Sequence, residues 1–206
     1  MPSLLIASHN AHKAAEIAEI LGENFDVQSL ARHHGAPEVE EDGDTYTANA
    51  VKKAAETAAW LSNQAFGQAL PDFVLADDSG LAVDALGGAP GVHSARYAGG
   101  DDNAPDDVNN AKLLRELTDV PDDNRGAQFH CVLALVALGQ AAEVRTFEGI
   151  CRGRIAQAQT GQGGFGYDPL FVPDGHELSF AELGREVKNA ISHRARALAK
   201  LSEYFR

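Results

Sequence analysis

The chain has 206 residues, 44% of them hydrophobic, which suits one good-sized domain and excludes a disordered protein. Its formal net charge of −13 excludes sequence-independent binding to nucleic acid, because such binding needs rows of lysine and arginine that displace counterions. We therefore expect no nucleic-acid partner, and a phosphate ligand would have to meet a local cluster of basic residues.

The first third of the chain predicts a strand, a helix, a second strand, a loop and a long helix. Leu4 to Ala7 is typical of a buried strand, and apolar residues then recur at helical spacing until Gly22. A second strand fits Phe25 to Leu30. An acidic loop from His33 to Asp44 precedes an alanine-rich helix at about Thr45 to Phe66.

The remaining elements also mix strands and helices. In chain order we expect a short strand at Phe73 to Ala76 that ends at Asp77 and Asp78, a helix at about Ala104 to Leu117, two strands near Gln128 to Leu138 and Glu143 to Arg152 that pair around Gly139, a capped helical turn at Ser179 to Glu182, and a last helix at Asn189 to Tyr204. No composition break, repeat or linker divides the chain. We predict one α/β domain over residues 1–206.

Neither a membrane segment nor a disulfide framework is expected. The longest apolar run, Cys131 to Leu138, is far shorter than the roughly 20 residues that span a bilayer. Met1 to Ala7 is too short for the core of a signal peptide and has no basic flank, so a cytoplasmic protein is expected. Cys131 and Cys151 are expected to be reduced core thiols outside any functional site.

The segment "SHNAHK" at residues 8–13 lies where the first strand meets the first helix. Asn10 suits the helix cap, and the free N–H groups of the first turn, the Ser8 hydroxyl and the Lys13 charge together outline an anion site. Taken alone, the segment is better explained as an ordinary cap with a surface lysine. On the long helix, Lys53 shares a face with Asn49 and could reach a phosphate, whereas Glu56 is expected to be solvated.

Carboxylates cluster in the predicted loop and after the third strand, at Glu38, Glu40, Glu41, Asp42, Asp44, Asp77, Asp78 and Asp84. Magnesium prefers oxygen ligands, commonly one or two carboxylates with water and substrate phosphates. For the loop residues, a solvated acidic surface is the stronger alternative. It is weaker for Asp77 and Asp78, because adjacent carboxylates beside a buried strand repel each other unless a cation compensates.

Two further stretches suit a planar ligand. Glycines flank Phe165 in "GGFGYDPLF" at residues 163–171, so its ring could stack on a nucleobase while Asp168 accepts hydrogen bonds. A plain turn around a core aromatic residue fits that stretch equally well. A basic group, Lys188, His193 and Arg194, begins the predicted last helix, where the helix dipole disfavours cations unless a ligand offsets them.

Four motifs together resemble the inosine triphosphate pyrophosphatase family, the non-canonical purine nucleoside triphosphate pyrophosphatases. They are "SHNAHK" at 8–13, "DDSGLAVDALGGAPGVHSARYAG" at 77–99, "GGFGYDPLF" at 163–171 and "KNAISHRARAL" at 188–198. The resemblance covers nearly the whole chain in the family's order. It implies an α/β fold with an elongated mixed β-sheet flanked by helices, two lobes around a central cleft, and a homodimer.

The resemblance also implies a reaction, namely magnesium-dependent hydrolysis of ITP, dITP or XTP to the monophosphate and pyrophosphate. Asp78 would be the general base and, with Glu41 or Glu40, a metal ligand. The implied substrate-binding residues are Ser8, His9, Asn10, Ala11, His12, Lys13 and Lys53 at the triphosphate, Ser79 at the substrate, and Phe165, Gly166, Tyr167, Asp168, Lys188, His193 and Arg194 around the base.

The chain departs from the family pattern at a few positions. His9 replaces the glycine of a T-G-N motif, and Ala195 replaces the glycine that commonly follows Ser-His-Arg. His9 is expected to affect affinity more than activity. Two alternatives stay open: a related pyrophosphatase acting on modified pyrimidine or canonical nucleotides, and a nucleotide-binding module without turnover.

Overall fold

Six strands of the described chain form one mixed sheet. The computed structural model describes residues 1–30, 33, 35–64, 70–100, 102–139 and 143–206. The strands are β1 (Ser3–Ile6), β2 (Asp26–Ser29), β3 (Phe73–Val83), β4 (Gly126–Ala137), β5 (Val144–Ile155) and β6 (Phe171–Pro173). Their order is β2-β1-β3-β4-β5-β6. β1 pairs in parallel with β2 and β3, and β5 pairs antiparallel with β6, so the predicted mixed sheet is confirmed.

Helices connect the strands, as the sequence predicts. They are α1 (Ala11–Leu21), α2 (Tyr46–Gln64), α3 (Asp106–Glu116), α4 (Phe180–Ile191) and α5 (His193–Tyr204). The predicted end of α2 at Phe66 lies outside the described residues, as do residues 140–142 of the loop between β4 and β5. Short 3-10 helices occupy Asp84–Leu86 and Gly91–Arg96 in the glycine-rich region.

The fold divides into two compact units. Unit 1 contains Met1–Asp78, Cys131–Glu148 and Ala197–Arg206, and unit 2 contains Ser79–His130 and Gly149–Arg196. One boundary therefore falls inside β3, between Asp78 and Ser79. The single domain over residues 1–206 stays a prediction.

Strand alternation gives unit 1 two apolar layers. Leu4 and Ile6 of β1 pack in one cluster with α1 and α5, whereas Leu5 packs in a second cluster with α2. Side chains alternate across a strand, so the two clusters cover opposite faces of the sheet. Ile17 of α1 is fully buried, which contributes about 2 kcal/mol by the usual transfer scale.

Unit 2 has its own apolar core. It brings β3, β4 and β5 together with α3, β6 and the start of α4, through residues that include Leu81, Phe129, Leu113, Phe171 and Phe180. Phe129 and Phe171 pack with ring centroids 4.6 Å apart. These elements hold the glycine-rich turn that contains Phe165.

Two predictions about element boundaries were wrong. β3 does not stop at Ala76 but continues to Val83, so Asp77 and Asp78 lie within the strand. Its parallel pairing with β1 does end at Leu75, so the two carboxylates lie just beyond the end of β1.

The second error concerns the last helix. Two helices, α4 and α5, are separated at Ser192, whose ψ of 165° is not helical. The capping box of Ser179 and Glu182 is confirmed, and it begins all of α4 rather than a short turn. Lys188 lies in the last turn of α4, where the dipole favours a cation. Only His193 and Arg194 begin a helix.

Candidate functional site

The turn before α1 has the predicted cap. Asn10 Oδ1 accepts hydrogen bonds from the backbone N–H groups of His12 and Lys13, at 3.0 and 3.1 Å. Ser8 Oγ accepts from the Asn10 N–H at 3.1 Å. The helix ends at Gly22, whose φ of 56° requires a glycine. The cap therefore provides hydrogen-bond acceptors for two of the free N–H groups of the first turn. Ser8, His9 and Asn10 lie at or near the surface.

Asp77 and Asp78 point to opposite faces of unit 1. Asp77 Oδ1 forms an ion pair with Lys13 Nζ of α1 at 3.0 Å, and its Oδ2 accepts from the Cys131 thiol at 3.3 Å. Asp78 instead faces Lys53 of α2. The expected mutual repulsion is therefore a minor influence, because the pleat separates the two carboxylates.

Lys53 is the central cation on the α2 face of unit 1. Its Nζ donates to Glu41 Oε1 at 2.5 Å and to the Asp77 carbonyl at 2.8 Å, and lies 3.6 Å from Asp78 Oδ1. The residue is only 9% exposed. A buried lysine held by one backbone carbonyl and two carboxylates is a fixed positive charge, which suits an anionic ligand.

The two carboxylates beside Lys53 differ in acidity. Burial raises the pKa of Asp78 to about 6, against the opposing effect of Lys53 and Lys13. Burial also acts to raise the pKa of Glu41, but the charge and hydrogen bond of Lys53 hold it below its usual value. Close carboxyl groups whose pKa values are driven apart are typical of functional sites.

Hydrogen bonds of Asn49 and His9 help to hold the acidic loop. Asn49, fully buried on α2, accepts from the Gly43 N–H at 2.8 Å, which ties the loop to the helix next to Glu41. His9 Nε2 donates to the Pro37 carbonyl at 3.3 Å, so the residue that departs from the family pattern joins the turn before α1 to the same loop. Glu40 is exposed. Of the two loop residues expected as metal ligands, Glu40 and Glu41, it is Glu41 that contacts Lys53 in the described structure.

Unit 2 fixes the Phe165 turn through Asp168. This buried carboxylate accepts from the Phe165 N–H at 2.8 Å and from Lys188 Nζ at 2.6 Å, both at Oδ2. Lys188 Nζ also lies 4.4 Å from the centre of the Phe165 ring, and Arg194 Cζ lies 5.8 Å from it. Phe165 is half-buried, so it is neither a fully open platform nor a core residue.

Other predicted base-site residues of unit 2 have partners of their own. Arg194 is buried and donates from Nη2 to Ser79 Oγ at 3.1 Å. His193 stacks on Phe129, with ring centroids 4.7 Å apart. Tyr167 points into the core, and its hydroxyl donates to the Ser94 carbonyl at 2.8 Å. The Tyr167 side chain is therefore anchored within the core of unit 2.

Each unit thus gathers one group of the predicted residues. In unit 1 the structure brings together Lys13, Lys53, Glu41, Asp77 and Asp78. In unit 2 it brings together Ser79, Phe165, Asp168, Lys188 and Arg194. Ala11 and His12 are exposed on the first turn of α1, and Glu56 is exposed as expected.

Sequence reasoning missed three residues that support these groups. Both cysteines are buried free thiols, as predicted. Cys131 was expected only to fill the core, but its thiol also donates a hydrogen bond to Asp77. Asn49 accepts a hydrogen bond from the acidic loop, and the Phe129 ring stacks on His193. Side chains alternate along β4, so Phe129 and Cys131 lie on the same face of that strand. This alternation was the sequence signal that could have linked these two residues.

The described residues contain neither a preformed metal-binding cluster nor a membrane-spanning helix. Across the described ranges, no group of three or more His, Cys, Asp or Glu side chains is arranged to hold a metal ion. Magnesium does not require such a group, since it keeps water and substrate oxygens among its ligands. Among the helices in the described part of the chain, none is long and apolar enough to cross a membrane.

Comparison with known proteins gives consistent matches. The model of the Ham1 family matches residues 4–204. A dITP/XTP pyrophosphatase of Opitutus terrae is 50% identical over 210 residues, covering 98% of each chain. One of Rhodopirellula baltica is 52% identical, covering 96% of this chain and 90% of the relative. A solved HAM1 protein from Coxiella burnetii superposes with a TM-score of 0.83 at 38% identity, covering 100% of this chain and 98% of the other.

Proposed function

This chain belongs to the Ham1 family, and we propose on that premise that it hydrolyses ITP, dITP and XTP to the nucleoside monophosphate and pyrophosphate. The match and its relatives named dITP/XTP pyrophosphatase confirm the resemblance inferred from the four motifs. House-cleaning of the nucleotide pool is the role that this activity would serve.

The strongest support from the structure is one carboxylate, Asp78. It is buried on β3, its pKa is raised to about 6, and it lies beside Lys53. In the metal-free protein a carboxylate of this pKa is largely ionised at neutral pH and so is available as a proton acceptor. It is therefore suited to take a proton from the water that attacks the α-phosphorus.

The donors around Asp78 fit a magnesium ion. Its Oδ2 is buried and accepts no hydrogen bond from any described residue, and Glu41 supplies carboxylate oxygen nearby. Mg²⁺ prefers such oxygen ligands together with water and phosphate. We propose that Asp78 and Glu41 hold it, with exposed Glu40 a weaker candidate. The ion would neutralise negative charge on the triphosphate.

The lysines and the turn before α1 would hold the phosphates. Lys53 is fixed by three oxygen partners, and Lys13 is held by Asp77, so both charges are positioned before substrate binds. Catalysis of phosphoryl transfer depends mainly on such positioning and charge neutralisation. As water bonds to the α-phosphorus and Asp78 takes its proton, the bond to the bridging oxygen breaks and pyrophosphate leaves.

The residues of unit 2 are proposed to recognise the base. Phe165 provides an aromatic surface, and Lys188 and Arg194 supply donors around it. A donor that faces the 6-oxo group of hypoxanthine or xanthine would meet an amino group in adenine, leaving both donors unpaired. This arrangement favours 6-oxopurines over adenine.

A substrate panel tests the proposed function. Purified protein with magnesium should release pyrophosphate from ITP, dITP and XTP much faster than from dUTP and the four common triphosphates. Preference for a pyrimidine would support a different nucleotide pyrophosphatase, and unchanged ITP after long incubation would support a binding module. Release of inorganic phosphate instead would place the cut at another bond.

Removal of the metal should abolish turnover. We expect EDTA to reduce pyrophosphate release from ITP to background and excess MgCl₂ to restore it, because the triphosphate charge would otherwise oppose attack. A calcium titration is the control, since Ca²⁺ is larger and tolerates more ligands than Mg²⁺. Full activity in EDTA would contradict the metal role of Asp78 and Glu41.

Two further features are proposed, and the first of them is implied by the resemblance. A homodimer is expected, and light scattering at several protein concentrations would measure its mass. A cytoplasmic location is also expected.

A further inference from the structure

Helix α3 holds the residue that follows Phe165. Asp106 Oδ2 accepts a hydrogen bond from the Gly166 N–H at 2.6 Å. Asn110 Nδ2 donates to the Gly166 carbonyl at 3.0 Å. Asp106 and Asn110 are four residues apart and so lie on the same face of α3. Both backbone polar groups of Gly166 are therefore fixed from one helix.

The turn needs such support because its backbone is irregular. Gly164 and Gly166 have φ values of 75° and 62°, and residues 161–164 are exposed. Asp168 fixes the N–H of Phe165 from the other side of the turn. The peptide groups before and after the Phe165 side chain are thus both bound to side chains, which limits how the ring can tilt.

Asn110 is buried, and its side-chain amide reaches the turn. It is 1% exposed, and its Nδ2 reaches the Gly166 carbonyl while Gln159 Oε1 lies at the limit of 3.5 Å. Asp106 is exposed at the first turn of α3, next to Asp107, which carries the same charge at the same helix end. Of these two aspartates in the described chain, it is Asp106 whose side chain bonds to the Gly166 N–H.

We propose that Asp106 and Asn110 are positioning residues for base binding: by holding Gly166 they set the orientation of Phe165 and thereby the affinity for the purine base. The inference rests on the proposed function, since it assumes that Phe165 stacks on the base. It adds that α3, which lies outside the four family-like motifs, contributes to that affinity.

Asp106→Ala tests the inference, with Asp107→Ala as the matched control. Both variants lose one acidic residue from the first turn of α3, so helix stability should change equally. Loss of a charge-assisted hydrogen bond should raise the KM for ITP about tenfold in Asp106→Ala, with kcat changed by less than about twofold. Asp107→Ala should keep the wild-type KM.

Two more variants separate positioning from folding. Asp106→Asn keeps an acceptor for the Gly166 N–H and should recover most of the lost affinity. Asn110→Ala should raise KM as Asp106→Ala does. Inhibition by pyrophosphate, which has no base, should be unchanged in every variant, whereas a general loss of structure would weaken it together with ITP binding.

The outcomes distinguish this inference from the proposed function. If the wild-type protein releases no pyrophosphate from ITP or XTP, the proposed function is wrong and the inference falls with it. If the wild type is active but Asp106→Ala and Asp107→Ala have the same KM, only the positioning role is overturned. A fall in kcat with unchanged KM would overturn it as well.

Discussion

Asp78→Asn is expected to lower kcat for ITP about a thousandfold, the usual contribution of a general base, while the protein stays folded. The amide has the same shape as the carboxylate, but it cannot accept the proton of water or hold Mg²⁺ by charge. Steady-state pyrophosphate release measures the loss.

The same substitution should stabilise the metal-free protein. The pKa of Asp78 in the fold is about 6, above its ordinary value of 3.8. Between those two pH values the unfolded chain has lost a proton that the folded chain retains, so the free energy of unfolding falls as pH rises through this range. Asp78→Asn removes that cost. Its Tm should exceed the wild-type Tm by several degrees at pH 7.5, and the two should converge near pH 4.

Asp42→Asn is the matched control for both measurements. Asp42 lies in the same acidic loop as Glu41, is exposed, and forms an ion pair with Lys52. Exposed pairs contribute little to stability, so its kcat and Tm should stay close to wild type. Turnover by Asp78→Asn above a tenth of the wild-type rate would show that another group accepts the proton.

Among the variants proposed here, Lys188→Met is expected to lose the most folding stability, and it should also bind ITP much more weakly. Lys188 and Asp168 form an ion pair at 2.6 Å whose side chains are only 5% and 2% exposed. Removing one partner leaves a buried charge, which costs about 3–5 kcal/mol and should lower Tm by about 10 °C. The KM for ITP should rise more than tenfold, because the Phe165 turn loses an anchored neighbour.

A double variant separates the two effects. Lys188→Met with Asp168→Asn removes both charges, so most of the lost Tm should return while the high KM for ITP remains. Lys52→Met is the control, because the Lys52–Asp42 pair has a similar length of 2.7 Å but lies at the surface. Equal Tm losses for the Lys188 and Lys52 variants would contradict the importance of burial.

Local sequence signals predicted the elements whose patterns are self-contained. β1 follows from its apolar run, and α1 follows from the Asn10 cap and Gly22. β3 was predicted too short because Asp, Ser and Gly disfavour strands. The strand continues because β4 is its hydrogen-bonded neighbour in the sheet, and this pairing is a property of the whole fold.

The break between α4 and α5 was missed for a similar reason. Residues 188–198 contain neither glycine nor proline, so helical periodicity runs through Ser192. Ser192 nevertheless leaves the helical region, and its Oγ accepts from the Ala195 N–H at 3.2 Å, as an N-cap does. Sequence reasoning placed Lys188 and Arg194 together at the start of one helix, although Lys188 lies at the end of α4 and Arg194 at the start of α5.

The sequence was enough to predict which residues belong to the candidate site, but it was not enough to predict which of them contact one another. The charges that matter, Lys13, Lys53 and Asp78, stand out in an acidic chain. Nothing in the sequence shows that Asp77 bonds to Cys131, 54 residues away, because only the sheet brings them together. Sequence reasoning treated Asp77 and Asp78 as one repelling pair, whereas each has its own lysine.

The placement of Asp77 and Asp78 on opposite faces of β3 makes strand register a requirement for activity. A slip of one residue in a strand reverses every side chain, so it would turn Asp77 toward Lys53 and Asp78 toward Lys13. Deleting or inserting a single residue between Leu75 and Asp77 should therefore inactivate the protein even though both aspartates are retained. Segment length before this pair is as strictly constrained as the identity of the pair itself.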